Sequence, residues 1–192
     1  MGIFARTVPV IPLGLPMAHP QTLEKLMNNR PLILIDVDGV LNPFYADEMP
    51  EPWTKNRITV NDGRTFTVFL NPEHGPKLLA LAEETGAELA WGSIWKDQAN
   101  DHIGPRIGLP RLPFAPMPFH GSGTKARSFV PWTDGRPFVW FDDDCIALDT
   151  AVQMVDRVKQ PFLPVLINPA TGLTDRHLSE ARSWLLKNGL QI

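Results

Sequence analysis

Short, continuously apolar runs are spaced along this chain, and they predict strands buried on both faces of a sheet. They are the segments 32–36, 87–91, 138–141 and 162–168. Stretches with helical spacing of apolar residues separate or follow these runs. They cover residues 72–86, 148–160 and 174–189. Strands alternating with helices predict an α/β fold, a Rossmann-like, mostly parallel sheet with helices on both faces.

One stretch departs from this alternation. Residues 57–70 consist of two β-prone runs on either side of Asn61-Asp62-Gly63, a sequence that favours a tight turn. The pattern predicts a β-hairpin. Prolines cluster in residues 8–20, 43–52 and 105–118, where they predict loops or extended chain, because proline lacks a backbone donor.

The spacing of these elements predicts the domain organisation. We expect one core domain over residues 31–192, with a flap insertion at about 43–72 that contains the hairpin. The insertion is too short to form a large domain of its own. Residues 1–30 are expected to form an N-terminal arm, to which the sequence assigns no role.

Two of the apolar runs end in carboxylates. Asp36 and Asp38 follow the first run, and Asp142 and Asp143 follow the run that ends at Phe141. Side chains alternate faces along a strand, so Asp36 and Asp38 share a face if the strand continues between them. Two carboxylates about 4 Å apart repel by roughly 4 kcal/mol at a typical effective dielectric constant. Such a pair indicates a cation between the two groups or a protonated carboxyl.

Four segments resemble, in order, the motifs of the haloacid dehalogenase (HAD) superfamily, a large group of mostly Mg²⁺-dependent phosphatases that use an aspartate nucleophile. LILIDVDGVLN resembles the first motif, and ELAWGSIW, which contains Ser93, the second. Lys125 matches the third and FVWFDDD the fourth. The resemblance extends from residue 32 to about 188. SIWKDQANDHIGPRIGLPRLP also resembles the HAD domains of RNA-repair proteins, which favours nucleotides or nucleic-acid ends as substrates.

The resemblance implies a Mg²⁺-dependent phosphatase with two catalytic carboxylates. It also implies a fairly open site, because the insertion at about 43–72 is too short for a large cap. Asp36 would attack phosphorus and form an aspartyl-phosphate. Asp38 would protonate the leaving alkoxide and then activate water. Ser93 and Lys125 would hold the oxygens of the transferring phosphoryl group.

The same resemblance implies a metal site made of oxygen ligands, which Mg²⁺ prefers. The ligands would come from Asp36, from the main-chain carbonyl of Asp38, and from Asp142 or Asp143. Two other functions stay open. The domain could be a non-catalytic phosphate- or partner-binding module, or a metal-independent dehalogenase. Against the second, Asp38 and the acidic run would have no cation to bind.

The composition of the chain limits its expected partners and cellular compartment. The net charge of −3 argues against a general polyanion binder. The single cysteine, Cys145, allows no intrachain disulfide, which fits a reducing compartment. No apolar run approaches the ~20 residues of a membrane span. We therefore expect a cytoplasmic protein with a phosphorylated partner and no membrane contact.

One segment has a local excess of positive charge. Residues 102–136 contain Asp134 as the only acid. The basic residues in it are Arg106, Arg111, Lys125, Arg127 and Arg136. Aromatic residues lie between them, so the segment could follow a single nucleic-acid strand. An equally good interpretation is a solvated loop that balances an acidic metal site.

Overall fold

The computed structural model describes residues 30–44, 49–117 and 124–189. Its centre is a parallel sheet of four strands in the order β4-β1-β5-β6. The strands are β1 Leu32–Ile35, β4 Glu88–Trp91, β5 Phe138–Asp142 and β6 Phe162–Leu166. This arrangement confirms the predicted α/β fold with a mostly parallel sheet.

The central strand explains the continuous apolar runs. In register, Leu32 lies between Glu88 of β4 and Phe138 of β5. All four residues of β1 are fully buried, so neither face of the strand meets water. From β1 the chain moves to β4 on one side, and it returns past β1 to form β5 and β6 on the other. The carboxyl ends of β1 and β5 therefore form the switch point at which open α/β sheets bind ligands.

Helices cover both faces of the sheet. Helices α1 (His74–Thr85) and α5 (Asp175–Asn188) contribute Leu78 and Leu185 to the core on one face. Helices α3 (Thr124–Trp132) and α4 (Cys145–Val158) contribute Phe129 and Val155 to the core on the other. A five-residue π-helix, Ala99–Ile103, and the short helix α2, Gly104–Ile107, lie between β4 and α3.

The predicted hairpin is confirmed. Strands β2 (Thr54–Thr59) and β3 (Thr65–Leu70) pair antiparallel, and Gly63 adopts a positive φ of 85° in the turn. Ile58 and Val68 are buried and join the main core. The hairpin is therefore packed onto the domain, and between β1 and β4 the described residues form this hairpin and α1 without a cap domain.

Several helix boundaries differ from the sequence prediction. Helix α4 begins at Cys145, because the Asp144 side chain accepts hydrogen bonds from the amides of Ile146 and Ala147. Helix α1 begins at His74, since the Asn71 side chain binds the amide of Glu73 in a preceding turn. Helix α3 was not predicted at all, and α2 lies in a stretch expected to be loop.

Two other observations bear on the sequence predictions. Most of the predicted N-terminal arm lies outside the described residues, as do residues 45–48 of the predicted flap and residues 118–123 of the basic segment. Within the ranges that the structure describes, no helix has the length and apolar character needed to cross a membrane.

Candidate active site

Two carboxylates meet at the switch point because their strands are neighbours. Asp36 follows β1, and its amide donates to the carbonyl of Phe141 in β5 at 3.1 Å. Asp142 is the last residue of β5. Asp36 is 3% exposed and Asp142 is fully buried. Carboxylate oxygens of Asp36, Asp142 and Asp143 lie within 4.8 Å of one another, so the three residues form one acidic cluster.

A glycine makes room for the third carboxylate. Gly39 has a φ of +76° in the tight turn after β1. A Cβ atom at this position would lie 2.3 Å from Cγ and 2.4 Å from Oδ2 of Asp143. Glycine is therefore required at position 39 for two reasons: the turn needs a positive φ, and a side chain would collide with Asp143.

Lys125 brings positive charge to the cluster from helix α3. Its Nζ donates to Asp36 Oδ2, and to Asp142 at 2.9 Å from Oδ2 and 3.1 Å from Oδ1. Only 12% of the lysine side chain is exposed. One ammonium faces three carboxylates, so the cluster has an excess of negative charge when all are ionised.

The pKa values follow from this crowding. Burial, together with the charge of Asp36, raises the pKa of Asp142 to about 8 against the pull of Lys125. Burial also raises the pKa of Asp143, and again the charge of Asp36 adds to it. For Lys125 burial acts to lower the pKa, but the charges of Asp36 and Asp142 outweigh it and raise the pKa. The site holds its lysine charged and disfavours full ionisation of its acids.

These properties fit a divalent cation. Its ligands would be carboxylate oxygens, which are the hard donors that Mg²⁺ prefers. The negative charge that Lys125 leaves uncompensated is what a cation would neutralise. Asp36, Asp142 and Asp143 could therefore hold a metal ion, while the Asp38 side chain is not part of this group.

Asp38 lies beside the cluster and is held by two side chains. Asn42 Nδ2 donates to Asp38 Oδ1 at 2.9 Å, and Trp95 Nε1 donates to Oδ2 at 2.8 Å. Burial raises the pKa of Asp38, although both hydrogen bonds act to lower it. Asn42 also accepts from the amide of Phe69 in β3 at 2.9 Å. The carboxyl group is thus connected to the hairpin.

Ser93 comes two residues after β4, on the other side of β1 from Asp142. The residue is fully buried, and its Oγ accepts a hydrogen bond from the amide of Trp95 at 3.3 Å. The hydroxyl remains able to donate its own hydrogen.

Asn42 and Trp95 were not predicted as site residues. Asn42 lies within the first motif and Trp95 within the second, but neither was assigned a role there. No periodicity identifies a tryptophan whose indole N–H binds a carboxylate 57 positions away. His74, outside this group, is 4% exposed and packs edge-on against Trp53.

Three of the five basic side chains in the basic segment pair with acids. Arg111 binds Asp97 and Asp101, and Arg136 binds Glu88 at 2.8 Å. Lys125 faces the acidic cluster. These pairs favour the interpretation that the segment balances neighbouring acids, since a nucleic-acid strand would have to compete for the same side chains.

Comparison with known proteins identifies the family. A family model described as the HAD domain in Swiss Army Knife RNA repair proteins matches residues 32–178. The match confirms the superfamily resemblance drawn from the four motifs, and with it the class of enzyme, a hydrolase of the phosphatase type. No protein with a curated description matches the sequence.

Solved structures give weaker likenesses. A 3-deoxy-D-manno-octulosonate 8-phosphate phosphatase from Moraxella catarrhalis, solved with magnesium, phosphate and KDO, is 18% identical, with a TM-score of 0.42. The match covers 89% of this chain and 94% of that one. The Yersinia pestis enzyme of the same name is 14% identical over 90% of this chain and 93% of its own, with a TM-score of 0.36. Likenesses this weak support no conclusion about the substrate.

Proposed function

Because the chain belongs to the family of HAD domains in Swiss Army Knife RNA repair proteins, we propose that it is a Mg²⁺-dependent phosphomonoester hydrolase that works through an aspartyl-phosphate. The observation that carries this proposal is the cluster of Asp36, Asp142 and Asp143 around Lys125 at the switch point of the sheet. The order of the chemical steps follows from what each side chain can do.

Asp36 acts as the nucleophile. Its Oδ1 accepts a hydrogen bond from the amide of Val37 at 2.7 Å, which fixes the carboxylate at the end of β1. A carboxylate oxygen attacks phosphorus, the bond to the ester oxygen breaks, and the phosphoryl group is carried on Asp36. Lys125 and the Ser93 hydroxyl donate hydrogen bonds to the phosphoryl oxygens, where negative charge increases.

Asp38 acts as general acid and then as general base. Its pKa is raised by burial, which favours the protonated form needed to give a proton to the leaving alkoxide. The resulting carboxylate takes a proton from the water that attacks the aspartyl-phosphate, and inorganic phosphate is released. Trp95 and Asn42 keep both oxygens of Asp38 in place through the two steps.

A metal ion would be held by Asp36, Asp142 and Asp143, with the main-chain carbonyl of Asp38 as a further oxygen ligand. When bound, Mg²⁺ supplies positive charge that offsets the repulsion between these carboxylates and an anionic phosphate ester.

The substrates we propose are nucleotides or phosphorylated nucleic-acid ends. The family's description refers to RNA repair proteins, and no cap domain lies over the site in the part of the chain that the structure describes. Such a site leaves room for a phosphate group attached to a large molecule.

The experiment is a phosphate-release screen with and without Mg²⁺, using aryl phosphates, nucleotides and phosphorylated oligonucleotides. Release that requires Mg²⁺ and disappears in Asp36→Asn would support the proposal. A fully active Asp36→Asn protein would refute it. Mg²⁺ binding without turnover on any substrate would favour a non-catalytic binding module, and halide release without metal would favour a dehalogenase.

A further inference from the structure

A cavity of about 690 Å³ lies between the hairpin and the loop after β4, outside the acidic cluster. Its lining includes Asp38, Asn42 and Trp95, together with Phe66, Arg64 and Lys55 of the hairpin. This volume is in the range of pockets that bind small organic molecules. The cavity therefore includes the proposed general acid in its wall but none of the residues of the acidic cluster.

The position of Asp38 identifies what part of a substrate would enter. Asp38 donates its proton to the oxygen that leaves with the organic group, so the organic group must extend from Asp38. The carboxylates of the acidic cluster do not line the cavity. The hairpin cavity is accordingly the space available to the leaving group.

The walls of the cavity favour a flat aromatic group. Phe66 and Trp95 are neighbours with ring centroids 5.8 Å apart, and Phe66 is 38% exposed although it is a large apolar residue. Aromatic side chains of this kind stack on nucleobases, and every base offers such a face. A small polyol would leave the aromatic wall in contact with water.

Two cations lie over aromatic rings of the same hairpin. The guanidinium of Arg64 is 5.5 Å from the centroid of Phe66, and Lys55 Nζ is 5.5 Å from that of Phe69. Asp62 pairs with Arg64 at 2.7 Å and offsets part of its charge. Among the described residues that line the cavity, Asp38 is the only acid, and Lys55 and Arg64 are cations. The positive charge near the aromatic rings suits a ligand with further phosphates.

We propose that this cavity is a nucleoside subsite: the base of the nucleotide that bears the scissile phosphate stacks on Phe66 beside Trp95, and Arg64 and Lys55 face the adjoining sugar-phosphate. This assignment rests on the proposed function and makes it more specific. A mononucleotide and a nucleic-acid end share this chemistry. Comparing adenosine 5′-monophosphate with oligonucleotides distinguishes the two.

The test compares substrates with and without a base. Values of kcat/KM are measured for ribose 5-phosphate, adenosine 5′-monophosphate and 5′- or 3′-phosphorylated single-stranded oligonucleotides. Phe66→Ala and Phe66→Leu should lower kcat/KM for the base-containing substrates by roughly 5- to 100-fold, because the stacking surface is lost. Ribose 5-phosphate should be affected less than twofold.

Arg64→Ala has a matched control on the same hairpin. Arg57 is exposed and does not line the cavity, so Arg57→Ala removes the same charge elsewhere. Arg64→Ala should weaken oligonucleotides more than the mononucleotide, whereas Arg57→Ala should leave both unchanged. If Arg64→Ala affects neither, the assignment of the adjoining phosphate to Arg64 is wrong.

A second measurement does not depend on turnover. Binding of a fluorescently labelled, phosphorylated oligonucleotide is measured by anisotropy with chelator present, for the wild-type protein and for Phe66→Ala. Weaker binding in Phe66→Ala supports the subsite. Equal binding, or no binding by the wild-type protein, overturns it. Lack of activity on every phosphate would refute the hydrolase proposal alone, and this binding result would still decide the subsite.

Discussion

The indole N–H of Trp95 donates a hydrogen bond to Oδ2 of Asp38 at 2.8 Å, and so ties the proposed general acid to the loop that follows β4. Trp95 is 7% exposed and also contacts Phe66 of the hairpin. One side chain thus joins the carboxyl group, the second motif and the hairpin cavity. The orientation of Asp38 depends on packing that only the folded chain creates.

Trp95→Phe should therefore impair proton transfer more than phosphoryl binding. The ring remains, but a hydrogen bond to a charged group, worth about 1.5–3 kcal/mol, is lost. We expect kcat for alkyl phosphates to fall about tenfold or more. Aryl phosphates, whose leaving groups need little protonation, should be affected much less. Equal losses for both substrate types would contradict a role for Trp95 in holding the acid.

Asn42→Leu should reduce both stability and activity. Asn42 is 6% exposed, and it bridges Asp38 to the amide of Phe69. Its loss leaves that buried amide without its partner, at a cost of about 1–3 kcal/mol. Chemical denaturation should show this loss, and kcat should fall because Asp38 is released. An unchanged unfolding free energy would mean that the bridge to the hairpin contributes nothing.

Gly39→Ala should weaken metal binding, and Gly135→Ala is its control. Both glycines have nearly the same positive φ, 76° and 74°, so the backbone strain added by Cβ is similar. At Gly39 the new Cβ collides with the Asp143 carboxylate, whereas at Gly135 nothing lies within 4 Å. Calorimetric titration with Mg²⁺ should show weaker binding only in Gly39→Ala. Comparable affinities in the two variants would argue against Asp143 as a ligand.

Much of this architecture could be predicted from the sequence. The apolar runs that lead into Asp36 and Asp142 predicted two strands and the sheet edge at which both carboxylates lie. They could do so because a buried parallel strand is a continuous apolar run in the sequence. The contacts of Asn42 and Trp95 could not be predicted, since each depends on a packing relation between distant segments. Helix α3 was missed because Pro131 lies inside it and its apolar face is short.

His74 should make stability depend on pH below neutrality. Burial lowers the pKa of His74 from 6.5 to about 4, and within the described residues its Nδ1 has no hydrogen-bond partner. Between about pH 6.5 and pH 4, the His74 imidazole is therefore protonated in the unfolded chain but neutral in the folded protein. Stability falls as the pH drops from about 6.5 to about 4, by up to about 3 kcal/mol.

To test this pH dependence, the unfolding free energies of the wild-type protein and of His74→Gln are measured between about pH 4 and pH 6.5. The variant should lack this part of the pH dependence, although it is less stable overall because the contact with Trp53 is altered. Parallel stability curves for the two proteins would show that His74 is not the group responsible.

The central claim is that phosphate is transferred to Asp36 before it reaches water. The most direct measurement uses Asp38→Asn with Mg²⁺ and a ³²P-labelled aryl phosphate, quenched in acid and mapped by peptide mass spectrometry. Loss of the general base should slow hydrolysis of the intermediate, so label is predicted on the peptide that contains Asp36. The account is contradicted if the wild-type protein releases phosphate but Asp38→Asn never carries label on Asp36. It is also contradicted if Asp36→Asn is fully active.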